Sequence, residues 1–174
     1  MENVMEQIKM YDLETYEHCK RTAMLAEAVG VYSDLDAETL KQAALVHDVG
    51  KMFVDPEILR KPGRLTDEER AVMDTHSLRG YEYLKQEGVE DKVCILVLFH
   101  HGFEKVPEEY HHLAKDMEAE IQVMKSIDVF DALTSARPYH EAISEERAYS
   151  IMEEEHCRKE AIEAIKKLKL EDRV

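Results

Sequence analysis

One stretch of this chain joins residue types that together suit metal-assisted chemistry on phosphate. It is His47-Asp48-Val49-Gly50-Lys51, which closes the apolar run Ala43-Ala44-Leu45-Val46. An imidazole next to a carboxylate can hold a hard or borderline metal ion, and the second carboxylate oxygen can bridge to another ion. Gly50 is expected to let the backbone leave a helix through the left-handed conformation. Lys51 would then place a cation where a phosphate oxygen sits. Taken alone, the pair reads equally well as a helix that ends in polar residues.

Further candidate ligands are spread along the chain, one small group per predicted helix. His18 lies inside the helix expected from Leu13 to Val29, which Gly30 should stop. Asp34 or Asp36 can cap the next helix, which runs to His47-Asp48. A connector over 52–65 holds Pro56, Pro62 and Gly63, with one short helix near Glu57–Arg60. Thr66-Asp67-Glu68-Glu69 is a capping box that should open one long helix carrying His76 and ending near Gly88. Val93–Phe99 is apolar throughout and reads as a buried helix ending at His100-His101. Residues 102–116 read as a polar loop. A helix over 118–135 carries Asp128, Arg137-Pro138 breaks the chain, and two helices follow near 144–155 and 158–168. Asp128 sits between apolar residues, and a buried carboxylate without a cation or donors is costly. Five histidines and two aspartates beside core positions therefore point to a metal site, although any one of them alone reads as structural. His111 and His112, with no carboxylate pattern around them, read as solvated loop residues.

Composition narrows the function classes. The 174 residues are 44% hydrophobic and 35% charged, with only six Gly and four Pro, which suits one ordered, largely helical domain over 1–174. With 23 basic and 38 acidic residues the net charge is −15. That disfavours binding to duplex nucleic acid, which needs a basic footprint. A small anionic substrate stays compatible if metal ions and local cations reverse the field within one pocket. Cys19, Cys94 and Cys157 form no CxxC pair and suit a reducing cytoplasm. No apolar run is long enough for a membrane span, and the N-terminus does not read as a signal peptide. The nine Met read as core filler.

His18, His47-Asp48-x-Gly50-Lys51, His76, His100-His101 and Asp128, in this order, resemble the HD superfamily of metal-dependent phosphohydrolases. More narrowly the chain is similar to the HD-GYP subgroup, whose characterised members hydrolyse cyclic dinucleotides. The likeness covers about residues 12–150. It extends to Pro56-Glu57-Ile58-Leu59-Arg60-Lys61-Pro62-Gly63-Arg64-Leu65-Thr66, to Gly80-Tyr81, and to the stretch from Asp128 through Arg137-Pro138-Tyr139. The resemblance implies an all-α helical bundle with a central metal site. It also implies two divalent ions, iron or manganese, acting through a hydroxide. One ion would be held by His18, His47, Asp48 and Asp128, the other by Asp48, His76, His100 and His101, with Asp48 bridging. Lys51 and Arg137 match positions that contact substrate phosphate, and Asp48, Lys51 and Arg137 make up the implied catalytic set. Glu14, one turn before His18, matches the acidic residue that supports a third metal in some members; it reads equally as a solvated glutamate.

The chain departs from that pattern after His101. The subgroup's Asp-Gly-x-Gly-Tyr-Pro loop is replaced by Gly102-Phe103-Glu104-Lys105-Val106-Pro107-Glu108-Glu109-Tyr110. Near the end, a Gly-rich turn is replaced by Glu153-Glu154-Glu155-His156-Cys157-Arg158. Glu104, Glu108 and Glu109 would repel a substrate with two phosphates if they faced the pocket. The basic cluster Arg60, Lys61, Arg64 is a second candidate anion contact, or a solvated connector. Three functions remain open: a phosphodiesterase acting on a cyclic dinucleotide or related nucleotide, an HD-type hydrolase of another phosphate ester or anhydride such as a dinucleoside polyphosphate, and a non-catalytic metal-containing module that binds nucleotide or a protein partner.

Overall fold

The computed structural model describes residues 1–136 and 142–171, and among these it contains helices and no strand. The α-helices are α1 (Glu2–Tyr11), α2 (Leu13–Tyr32), α3 (Ala37–Val46), α4 (Pro56–Leu59), α5 (Asp67–Asp74), α6 (His76–Gln86), α7 (Asp91–Phe99), α8 (Glu118–Thr134), α9 (Glu145–Glu154) and α10 (Lys159–Leu170). No helix is long and apolar enough to cross a membrane. Residues 137–141, including Arg137, lie outside the described residues.

The bundle is built around α7. Val93, Cys94, Leu96, Val97, Leu98 and Phe99 are all buried, as expected of a helix apolar on every side. It packs against α3, α6 and α8. Local signals set the helix starts. Asp12 accepts the Thr15 N–H at 2.9 Å to begin α2, and Asp36 accepts that of Thr39 at 3.1 Å to begin α3. The Thr66–Glu69 capping box forms in both directions.

Four sequence expectations are corrected. Gly30 does not stop α2, which runs on to Tyr32. Its role is packing: a Cβ there would stand 2.7 Å from Ala37 Cα, so it lets α3 lie close against α2. Gly50 does not leave a helix through the left-handed region; positive-φ glycines among the described residues are Gly63, Gly88 and Gly102. It sits in a 3-10 turn, Val49–Phe53, pressed on α6. A Cβ would collide with the His76 carbonyl oxygen and stand 2.7 Å from the Gly80 nitrogen. The long helix expected after Thr66 is two helices, α5 and α6, parted at Thr75. The Thr75 hydroxyl bonds the Val72 carbonyl at 2.7 Å, a local alternative to continuing the ladder. The expected loop 102–116 contains two 3-10 stretches, Phe103–Lys105 and Glu108–Ala114, and buries Val106 and Ala114.

Candidate metal centre

Five elements deliver the candidate ligands to one place. His18 comes from the middle of α2. His47 and Asp48 lie just past the last residue of α3, and His100 and His101 just past that of α7. Cations are favoured at helix C-terminal ends, where carbonyl groups point outward. The break at Thr75 sets His76 at the start of α6, and Asp128 comes from the middle of α8. His18, His47, Asp48, His76 and His100 are buried to 3% exposure or less.

The rings are oriented from behind. His47 Nδ1 donates to the Ala44 carbonyl at 2.8 Å, His76 Nδ1 to that of Met73 at 2.7 Å, and His100 Nδ1 to that of Val97 at 2.7 Å. A carbonyl only accepts, so each Nδ1 carries the proton and each Nε2 faces the centre. His101 turns its Nδ1 toward Asp128 Oδ2, 3.4 Å away. His18 Nδ1 lies 2.7 Å from Asp131 Oδ2, and Arg21 holds that carboxylate with hydrogen bonds of 2.7 and 2.9 Å. Sequence reasoning missed Asp131 as a site residue. Its signal was its place one helical turn after Asp128, a second carboxylate in the same apolar stretch.

Three groups of donors result. His76, His100 and His101 offer three imidazole nitrogens, His18, His47 and Asp128 form a second set, and Cys19, His47 and Asp48 a third that shares His47 with it; each group lies within 4.8 Å. In the first, His76 Nε2 stands 3.2 Å from Nε2 of both His100 and His101. Burial pushes the His76 pKa down to about 4, holds His100 well below its ordinary value and lowers His101. His76 and His100, each with its proton on Nδ1, therefore face each other with Nε2 lone pairs, and a cation between them would satisfy both. Ligands of one ion at about 2.1 Å stand roughly 3.0–3.4 Å apart, the spacing found here.

In the second group His18 Nε2 lies 3.1 Å from both His47 Nε2 and Asp128 Oδ1. Burial pulls the His47 pKa down, yet the adjacent Asp48 carboxylate overcomes it and holds His47 well above its ordinary value. A proton on His47 can satisfy that contact, and a cation in the group would replace it. Asp48 lies between the first two groups. Its Oδ2 is 3.4 Å from His47 Nε2 and 3.7 Å from His18 Nε2, while its Oδ1 is 3.4 Å from His76 Nε2. Lys51 Nζ donates to Asp48 Oδ2 at 2.6 Å. Burial opposes ionisation of Asp48, but Lys51 and then the surrounding histidines keep its pKa well below the usual carboxylate range. The buried thiol of Cys19 adds a soft donor 3.9 Å from His47 Nδ1.

A cavity of about 540 Å3 opens over this centre, lined by His18, Asp48, Lys51, His76, His101 and Asp128 and, from more exposed positions, by Glu14, Arg60 and Arg70. Of the expected basic cluster only Arg60 reaches it; Lys61 is paired with Glu69 at 2.6 Å. Glu104, Glu108 and Glu109 are not among its lining residues, and Glu104 pairs instead with Lys125 at 2.9 Å. His111 donates to the Val106 carbonyl at 2.9 Å and its ring packs on Phe99 and Phe103, a structural role.

Comparison with known proteins adds family information. Residues 15–133 match the model of the HD domain family. The response regulator RpfG of Xanthomonas campestris, a cyclic di-GMP phosphodiesterase, is 32% identical over 133 residues, 75% of this chain and 34% of that protein. A cyclic di-GMP phosphodiesterase of Vibrio cholerae is 34% identical over 159 residues, 82% of this chain and 31% of that protein. The 3'3'-cGAMP-specific phosphodiesterase 3 of the same organism is 32% identical, covering 80% and 31%. The chain thus spans about a third of the length of these relatives. Among solved structures, the HD domain of the Listeria monocytogenes phosphodiesterase PgpH superposes with a TM-score of 0.65 at 19% identity, covering 98% of this chain and 86% of that one. A second structure of that domain, in complex with cyclic-di-AMP, gives 0.63 at 19% identity, with 98% and 84% covered. At that identity the likeness concerns the fold.

Proposed function

The chain belongs to the HD domain family, and on that premise we propose that it is a metal-dependent phosphodiesterase acting on a cyclic dinucleotide or related nucleotide. The observation that carries the reading is the donor set. The Nε2 atoms of His100 and His101 each lie 3.2 Å from that of His76, and Asp48 splits its oxygens between that group and the His18–His47–Asp128 group. A binder of nucleotide alone has no use for such an arrangement. His76, His100, His101 and Asp48 would hold one divalent ion, and His18, His47, Asp128 and Asp48 the other. Nitrogen donors mixed with carboxylates suit iron or manganese. Such a pair, when bound, supplies a nucleophile at neutral pH and neutralises charge on the phosphoryl oxygens during in-line displacement.

The protein's own residues have separate tasks. Asp131 and the main-chain carbonyls of Ala44, Met73 and Val97 fix ring orientation, so that no reorganisation is needed when substrate enters. Lys51, in the same cavity, contributes positive charge where a phosphate would approach Asp48. Arg137 is assigned the corresponding role from its motif. Glu14, lining the cavity one turn from His18, is the candidate for supporting a third ion. The relatives named as cyclic dinucleotide phosphodiesterases support the substrate class. So does the position of Glu104, Glu108 and Glu109 away from the cavity lining, which removes the expected repulsion of a second phosphate.

The test is metal analysis of protein purified without chelator, followed by hydrolysis assays with added Mn2+ or Fe2+. Cyclic dinucleotides, dinucleoside polyphosphates and mononucleotides are compared. Cleavage of cyclic dinucleotides with bound metal is expected. Metal-free protein, or turnover confined to anhydrides or monoesters, would refute the proposal.

A further inference from the structure

Three cations line the cavity among the described residues: Lys51, Arg60 and Arg70. Two are engaged. Lys51 bonds Asp48, and Arg60 bonds Asp12 and the Tyr11 carbonyl. Arg70 stands apart. Among the described residues its guanidinium makes no hydrogen bond, ion pair or ring contact.

Acidic neighbours are at hand, yet they are taken. Glu69, the preceding residue, has both carboxylate oxygens on Lys61 at 2.6 and 2.8 Å. Asp74, one turn further along α5 on the same face, receives Lys105 at 3.2 Å. In a chain of net charge −15, an arginine that faces a cavity while lysines satisfy the adjacent acids is a local exception. Arg70 lies on α5 and His76 begins α6 beyond the break at Thr75, so the two side chains reach the cavity from different helices. Lys51, bonded to Asp48, is the cation at the candidate metal centre, which leaves Arg70 for a different anionic group.

We infer that Arg70 is a specificity-determining residue that binds the second phosphodiester of a cyclic dinucleotide, the one not under attack. The inference rests on the hydrolase reading above. A guanidinium presents a planar fork of donors that matches two phosphate oxygens, which a lysine cannot do. A substrate with one phosphate would leave Arg70 unused. Because the contact would be equally present in the ground state and the transition state, it belongs to KM and not to kcat.

Metal-loaded wild-type, Arg70→Ala and Arg70→Lys proteins are compared on cyclic di-GMP and on bis(p-nitrophenyl) phosphate. Each is also titrated calorimetrically with a phosphorothioate cyclic dinucleotide that resists cleavage. For Arg70→Ala, the KM for the dinucleotide and the Kd for the analogue should rise about tenfold, the lower range for losing a charge-assisted hydrogen bond. The dinucleotide kcat and the KM for the small diester should hold, and Arg70→Lys should recover part of the loss. Thermal unfolding should not move, since Arg70 is exposed. Equal weakening on both substrates, or unchanged affinity for the analogue, overturns the inference. If the wild-type protein cleaves neither diester, the hydrolase reading fails by itself. The titration then still decides Arg70: weaker binding in Arg70→Ala supports it, and unchanged or absent binding refutes it.

Discussion

At Asp48 a single side chain stands between two donor groups, so its removal is expected to reach both. Asp48→Ala should strip the protein of its metal and abolish hydrolysis, measured by elemental analysis and turnover on the same samples. Two equivalents of metal retained in that variant would rule out a bridging role. Asp131 acts one step further back, through the His18 ring, which it holds at 2.7 Å while Arg21 anchors it. Asp131→Asn keeps the volume and loses the charge that sets the His18 tautomer. Metal affinity, read by chelator competition, should fall about 10–100-fold, the usual effect of losing such an outer partner. Unchanged affinity would leave Asp131 as a structural ion pair with Arg21.

Between elements, the contact that matters most is the Val49–Phe53 turn against α6. Gly50 there lies too close to the His76 carbonyl and the Gly80 nitrogen for any Cβ, and Gly80 in turn would place a Cβ 3.2 Å from Gly50 N. Each glycine removes bulk for the other, and the pair sets Asp48 and His76 near one another. Gly50→Ala must push α6 away, since backbone atoms cannot yield as a flexible side chain does. Overpacking of this kind costs typically 1–3 kcal/mol, about that much in a urea or thermal unfolding experiment, and metal affinity should fall with it. Wild-type stability and metal content in the variant would mean that the turn is looser than this packing. The Thr75 break acts in the same way on α6, because a continuous helix would carry His76 at a different angle.

For the whole molecule, charge is the governing quantity. Most of the net −15 is carried away from the cavity, and acidic side chains such as Glu69 and Asp74 near it are matched by lysines. Glu104 is paired with Lys125, neither Glu108 nor Glu109 lines the cavity, and exposed charges of this kind are screened by salt. Changing Glu104, Glu108 and Glu109 together to Gln is therefore expected to leave turnover of cyclic dinucleotides and of a generic diester unaltered at physiological salt. A rate gain confined to the dinucleotide would place that loop at the cavity mouth.

Much of this was legible from the sequence alone. The helical class followed from apolar periodicity and caps such as Asp36 and Thr66, which act over three or four residues. The HD motif was equally plain, because His47-Asp48-x-Gly50-Lys51 and the partners spaced after it are a matter of residue type and order. Tertiary structure alone decided what depends on distance between distant segments. Gly30 and Gly50 signalled helix ends by local rules, and both proved to be points where two backbones meet. Asp131 carried only its place one turn after Asp128, and Arg70 no local mark that separates an unengaged cation from an ordinary surface charge; the partners of Asp131 lie on another helix, and those of Arg70 are absent among the described residues. The meeting of His76 with His100 and His101 belongs to the same class, since residues 24 and 25 positions apart come together only after the bundle closes.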